Sequence, residues 1–326
     1  MIDNQKNYTY SVRCKDVARV VEFSPYELSS KLLAVGTSTQ IIIASCRFPE
    51  EDPELEDIEY EELQIFQPGC SITALSWSPE TSVSVISSSL RFVAAGMDHN
   101  LRIVNLNLKS DPDVEFLKGH KSFINAVAYE PNLGQQIASV GDDNTCRVWE
   151  KDKDSSEIKE AMCFYLMSPG VSVCWHNEEP KKILVAQKNG ILRFFSLHNQ
   201  QPIMSLDCGQ SPLMSADWCH MNSLAVAAGA STDWLLFDSS VSSAPADKKQ
   251  AHTEGIQQIR WCRCSDNLLA TIGHPGCQLK VFSVKQQQLL MSQSYPVGSG
   301  LSWHLRLPIL VVAGDQRLYF WSASSS

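Results

Sequence analysis

His120, Ser139 and Asp143 are the residue types of a nucleophilic hydrolase, with Ser as nucleophile, His as base and Asp orienting the His. The rest of that machinery is missing. Ile137 stands where a Gly-x-Ser-x-Gly elbow needs its first glycine, and no neighbouring run of donors offers an oxyanion hole. The same residues support a reading that needs no substrate. With Trp149 they can form one buried hydrogen-bond relay in which Asp143 accepts, Ser139 and Trp149 donate, and His120 ties a loop to a sheet. Buried polar groups are tolerated when paired, and a complete network selects one loop geometry. We therefore read His120, Ser139, Asp143 and Trp149 as structural and assign no catalytic residue.

The remaining constellations are poorer in chemistry. Cys262-x-Cys264 with His274 and Cys277 suggests zinc, but the first pair lacks the usual ligand spacing, so no metal site is assigned. His176, His220 and His304 each follow a Trp within two residues, a recurrence that points to loop hydrogen bonding. Asp142-Asp143 reads as turn chemistry. GxxxxGK[ST], GxGxxG and HExxH do not occur, and no cofactor is expected. With 27 Lys and Arg against 36 Asp and Glu, the net charge of −9 argues against direct nucleic-acid binding; Lys181-Lys182 and Lys248-Lys249 are isolated pairs. No apolar run reaches the roughly 20 residues that span a bilayer, so direct membrane insertion is not expected. Residues 1–6 lack the apolar stretch of a signal peptide. The 11 cysteines include no CxxC pair, and Cys46, Cys146 and Cys174 fall in apolar runs, which suits a reducing compartment, cytosol or nucleus.

These residues sit in a repeat. Seven apolar runs end at Phe23, Trp77, Tyr129, Trp175, Trp218, Trp261 and Trp303, spaced by 54, 52, 46, 43, 43 and 42 residues. That period matches propeller blades of roughly 40–45 residues with two early insertions. A second apolar run follows each anchor and ends in Gly or Ala, and glycine there suits a turn with unusual backbone angles. Third runs end near Ala44, Val104, Trp149, Phe195, Phe237, Phe282 and Trp321. Asp98 and Asp315 precede Val104 and Trp321 by the same six residues that separate Asp143 from Trp149. The expected fold is all-β: one seven-bladed β-propeller over residues 1–326. The last unit stops short at Trp321, with 322–326 a polar tail, so the alternating segment 8–14 is expected to supply its fourth strand and close the ring. Residues 50–62, nine of thirteen acidic, read as an insertion loop able to dock a basic partner; 81–89 and 239–250 read as Ser-rich loops. The inner-strand sequences read as mostly apolar or small, whereas a propeller hydrolase or lyase needs polar or metal-binding residues converging on the central channel.

The Gly119-His120…Trp149 unit resembles a WD40 repeat, and the other six units resemble degenerate ones. Their wording is more particular. Ile72–Glu80 (ITALSWSPE), Gly134–Trp149 (GQQIASVGDDNTCRVW), Ser168–Glu179 (SPGVSVCWHNEE), Gln187–Phe194 (QKNGILRF), Pro212–Cys219 (PLMSADWC), Asp233–Asp238 (DWLLFD) and Val297–His304 (VGSGLSWH) are similar to the small single-propeller WD-repeat nucleoporins of the Y-shaped nuclear-pore scaffold. The resemblance implies a non-enzymatic scaffold subunit, monomeric as a propeller, in the outer rings of the nuclear pore complex at the nuclear envelope. Its implied partners are the large propeller–solenoid nucleoporin and other Y-complex subunits; its implied roles are pore assembly, mRNA export, protein import and kinetochore function in mitosis. The partner-binding surface is unassigned. The alternative is a WD40 substrate receptor of a cullin-type ubiquitin ligase, but Glu150-Lys151 follows Trp149 where that motif continues Asp-Arg.

Overall fold

Each of the seven anchors closes an inner strand: Ala18–Phe23, Ile72–Trp77, Ile124–Tyr129, Gly170–Trp175, Leu213–Trp218, Gly255–Trp261 and Gly298–Trp303. The computed structural model describes residues 8–83, 88–107, 112–152 and 157–323. Every inner strand begins an antiparallel sheet, and seven such sheets form a seven-bladed β-propeller around a central channel. Blade three shows the common plan: Ile124–Tyr129, Gln136–Gly141, Thr145–Lys151 and Ile158–Tyr165 pair in chain order from the channel outward. The helical element among the described residues is one 3-10 turn, Glu27–Ser29.

The local pattern explains the layers. Second strands such as Leu32–Thr37, Gln136–Gly141 and Ile309–Gly314 are buried at every residue, since both sheet faces pack on neighbouring blades, and they read as continuous apolar runs. Every inner strand has a bulge near its start, as between Ile124 and Ala126, and a bulge adds twist that turns the strand toward the channel. The bulge also explains the terminal glycine of blade three differently from the turn reading. Gly141 has no left-handed φ; a Cβ there would collide with the carbonyl of Phe123, pressed in by the bulge opposite. In blades two to six the left-handed turn angles fall on His99 (φ 65°), Asn144 (φ 56°), Gly190 (φ 95°), Ser231 (φ 50°) and Cys277 (φ 51°).

The hydrophobic interior is divided into seven clusters, each shared by two adjacent blades. No blade buries its own faces. The cluster between blades one and seven includes Phe23, Phe48, Val311 and Phe320, with Phe23, Phe48 and His304 in edge-to-face contact. Closure is made by Tyr10–Arg13, which pairs antiparallel with Arg317–Ser322 in the register Tyr10↔Phe320 to Arg13↔Arg317.

Three boundaries differ from the sequence reading. The acidic segment 50–62 is not all loop: Glu59–Phe66 is the outer strand of blade one, pairing Glu59↔Arg47 and Tyr60↔Cys46. Tyr60 and Leu63 turn inward while Glu59, Glu61 and Glu62 stay exposed, the charged surface that protects an edge strand. The remaining loop is anchored by buried Phe48, and Tyr10 of the closing strand donates to Glu50 at 3.0 Å. Likewise 239–250 divides into a loop and an outer strand, Asp247–Gln250, paired with Asp233–Leu236. Of 81–89, Ser82–Val83 pairs with Ser88 and Ser89, and 84–87 lie outside the described residues, as do 1–7 and the end of the tail, 324–326.

Candidate functional site: relay, caps and channel

Blade three brings His120, Ser139, Asp143 and Trp149 together from four positions. Trp149 Nε1 donates to Ser139 Oγ at 2.9 Å, Ser139 Oγ lies 2.8 Å from His120 Nε2, and His120 Nδ1 lies 3.0 Å from Asp143 Oδ2. With Nδ1 carrying the proton, the direction is consistent throughout: indole to hydroxyl, hydroxyl to imidazole, imidazole to carboxylate. Burial holds His120 below the ordinary imidazole value, partly opposed by Asp143. Burial alone would raise Asp143, but donors from Lys121 N, Thr145 and His120 outweigh it and hold the carboxyl low. Ser139 is 0% exposed, accepts from Trp149 and donates its proton to His120, so it presents no hydroxyl to a substrate. Thr145 also belongs to the network: its Oγ1 donates to Asp143 Oδ1 at 2.7 Å and accepts from Arg147 Nε at 3.2 Å. The sequence sign was a hydroxyl two residues after the Asp. Asp142 turns away to Asn125 Nδ2 at 2.7 Å.

Two other blades carry altered versions that sequence reading missed. In blade two, Pro68 stands at the histidine position, and buried Arg102, at the position of Arg147, partners Asp98 instead: its Nη1 and Nη2 donate to Asp98 at 2.9 and 2.7 Å, and its Nε donates to the Pro68 carbonyl at 3.1 Å. In blade six, His252 Nε2 lies 3.0 Å from Thr271 Oγ1, both fully buried, while Pro275 occupies the Asp143 position. The sign was Ala251-His252, nine residues before Trp261 as Gly119-His120 is nine before Tyr129. Burial pushes His252 down to about 4.

In blades two to seven the residue after the anchor caps the turn that follows, whereas Ser24 of blade one pairs with the Ser29 hydroxyl. Glu130 accepts from the backbone of Asn132, Leu133 and Gly134 at 2.7–2.9 Å. His176 Nδ1 accepts from Glu178 and Glu179, and His304 Nδ1 from Leu307, at 3.1 Å. Ser78 does the same for Glu80. His220 does not share this position: it lies one residue further on, and the sulfur facing the turn's N–H groups is that of Cys219.

The residue before each anchor couples neighbouring blades. Ser76 accepts from Tyr129 N at 3.0 Å, Asp217 from Trp261 N at 2.8 Å and Ser302 from Phe23 N at 3.0 Å. In return, the Trp77 indole donates to the Glu22 carbonyl and that of Trp175 to the Ala128 carbonyl, at 2.8 and 2.9 Å. These positions face the channel, which is more polar than the inner strands read in sequence. Arg19, Glu22, Asn125, Gln257 and Arg260 line it, because bulge and alternation send apolar side chains between blades and polar ones inward. At one mouth a cavity of about 250 Å³ gathers Glu22, Asp217, Arg260 and Arg263. Burial pushes Glu22 up to about 7 against the pull of the two arginines. Burial would lower Arg260, but Asp217 and Glu22 raise it overall.

Cys262 and Cys264 are adjacent, but among the described residues no group of three or more His, Cys, Asp or Glu could hold a metal, so His274 and Cys277 do not complete a ligand set. The WD domain, G-beta repeat family model matches residues 112–150. The chain is 41% identical to nucleoporin Nup37 of Homo sapiens and 40% identical to nucleoporin Nup37 of Mus musculus, each over 324 residues and 98% of both chains. It is 29% identical to nucleoporin Nup37 of Drosophila melanogaster over 313 residues, 96% of both chains.

Proposed function

The chain belongs to the Nup37 family of nucleoporins, and from that premise we propose that it is a non-enzymatic scaffold subunit of the nuclear pore complex. One observation carries the reading: identity runs collinearly through all seven blades, whereas the repeat signature covers 112–150 alone. A WD repeat by itself would specify a fold and no function. The side chains that could do acid–base or nucleophilic work support the non-enzymatic part. In the relay, the caps and the coupling positions they serve as partners for buried backbone and side-chain groups.

Within the pore we assign the chain to the Y-shaped outer-ring complex, attached to the large propeller–solenoid nucleoporin and supporting pore assembly, mRNA export and protein import, with kinetochore association in mitosis. The wording of the degenerate blades supports this finer assignment. The ligase-receptor alternative is not favoured: Glu150 and Lys151 occupy the positions of its Asp-Arg and pair in the outer ladder of blade three.

A tagged chain expressed in cultured animal cells tests the proposal. It is expected at the nuclear rim, and affinity purification is expected to recover the large propeller–solenoid nucleoporin. Recovery of ligase adaptor subunits without pore subunits would reject it. A second variant with 53–57 replaced by Gly and Ser probes the acidic loop while sparing the strand Glu59–Phe66; unchanged recovery would show that the loop does not dock that partner.

A further inference from the structure

Neither the relay nor the scaffold role uses Cys262-x-Cys264. Cys262 is the capping residue after Trp261, fully buried in the cluster between blades six and seven; Cys264 is half-buried at its edge. Their sulfur atoms are 3.4 Å apart and share a thiol proton. Burial raises the thiol of Cys14 to about 11 and those of Cys174 and Cys208 to about 12. Cys264 moves the other way, lowered because the Cys262 thiol hydrogen-bonds its sulfur; Cys262 is raised by that same bond and by burial. Access and thiolate character therefore coincide on Cys264, with a second sulfur directly behind it.

We propose that Cys264 and Cys262 are a modification site for hydroperoxides, in which Cys264 is oxidised first and Cys262 resolves it as an intramolecular disulfide. The Cys264 sulfur attacks one peroxide oxygen; the O–O bond breaks, the other oxygen leaves with a proton as water or an alcohol, and Cys264 becomes a sulfenic acid. The Cys262 sulfur then attacks the Cys264 sulfur; the S–O bond breaks and hydroxide departs with the Cys262 proton as water. Two thiols lose two electrons, and one peroxide accepts them. The sulfurs must close from 3.4 Å to a bond of about 2.05 Å, which rotations about the two side chains and adjustment of a half-buried turn can supply. Arg263 lies between the pair and at the channel mouth, so the cross-link also resets the turn that carries it.

The test uses the full-length protein treated with hydrogen peroxide at neutral pH, then alkylated, denatured and digested with trypsin. Cleavage after Arg260, Arg263 and Lys280 separates the two cysteines, so a bridge appears as 261–263 joined to 264–280. The joined peptide is expected in the parent and in Cys277→Ser, and absent in Cys264→Ser. Before oxidation, Cys264 is expected to alkylate at least roughly tenfold faster than the buried cysteines at pH 7. Unjoined peptides with both thiols free, Cys264 driven to sulfinic or sulfonic acid beside a free Cys262, or a bridge from Cys262 to Cys277 would each overturn the proposal. Should Cys264→Ser fail to fold, fragmentation of the parent's joined peptide locates the bridge at 264 or 277 and decides the question.

Discussion

Ser139 serves two buried neighbours, accepting from Trp149 and facing His120, so a single hydroxyl holds the loop before blade three against its sheet. Ser139→Ala leaves an indole N–H and an imidazole nitrogen without partners. Each such group costs about 1–3 kcal/mol, so a loss of roughly 2–6 kcal/mol is expected by calorimetry. Ser139→Thr should retain most of the stability, since Thr271 fills the equivalent place in blade six. Glu22 makes an opposite, pH-linked contribution. Its carboxyl is raised from 4.5 to about 7, so between those values the folded protein holds a proton that the unfolded chain releases. Stability present below that window is lost as pH rises through 7. Glu22→Gln is therefore expected to be more stable than the parent by about 1–2 kcal/mol at pH 8, with no gain at pH 4.5. Urea unfolding at the two pH values measures the difference, and an equal effect at both would reject the assignment.

At the scale of the strand and its turn, the capping position of blades two to seven accepts different residue types because it needs only an acceptor aimed at the next N–H groups. Glu130, His176, His304 and Ser78 all meet that need. Glu130 satisfies three donors and is 3% exposed, so Glu130→Ala is expected to cost about 2 kcal/mol, and Glu130→Ser to recover part of it. Thermal melts of the two variants check the order. Gly141 follows the same logic from the opposite side. Gly141 is required by the bulge of the strand beside it, not by its own backbone angles.

For the molecule as a whole, the seven interior clusters each belong to two blades, so stability is distributed around a ring that holds only when closed. The closing strand Tyr10–Arg13 pairs with Arg317–Ser322, packs Tyr10 on Phe48 and bonds the acidic loop through Glu50. Deletion of residues 1–14 is expected to lower the melting temperature of the whole propeller, because it opens the blade that joins first to last. An unchanged melting temperature would contradict this account.

The sequence by itself determined the seven inner strands to the residue at their ends, since each anchor terminates a local apolar run whose pattern needs no partner to be seen. It also identified the N-terminal closing strand and, through the wording of the degenerate blades, the family. The relay was legible because a single repeat contains all four of its residues. Cross-blade features were not. The Ser76-to-Tyr129 bond, the polar channel, the pairing of Arg102 with Asp98 and the outer strands in the acidic and Ser-rich segments depend on which side chain faces which neighbour across a sheet. Only the tertiary structure decides that, because bulge, twist and ring closure set where each alternating residue points, and none of the three is a property of the local sequence.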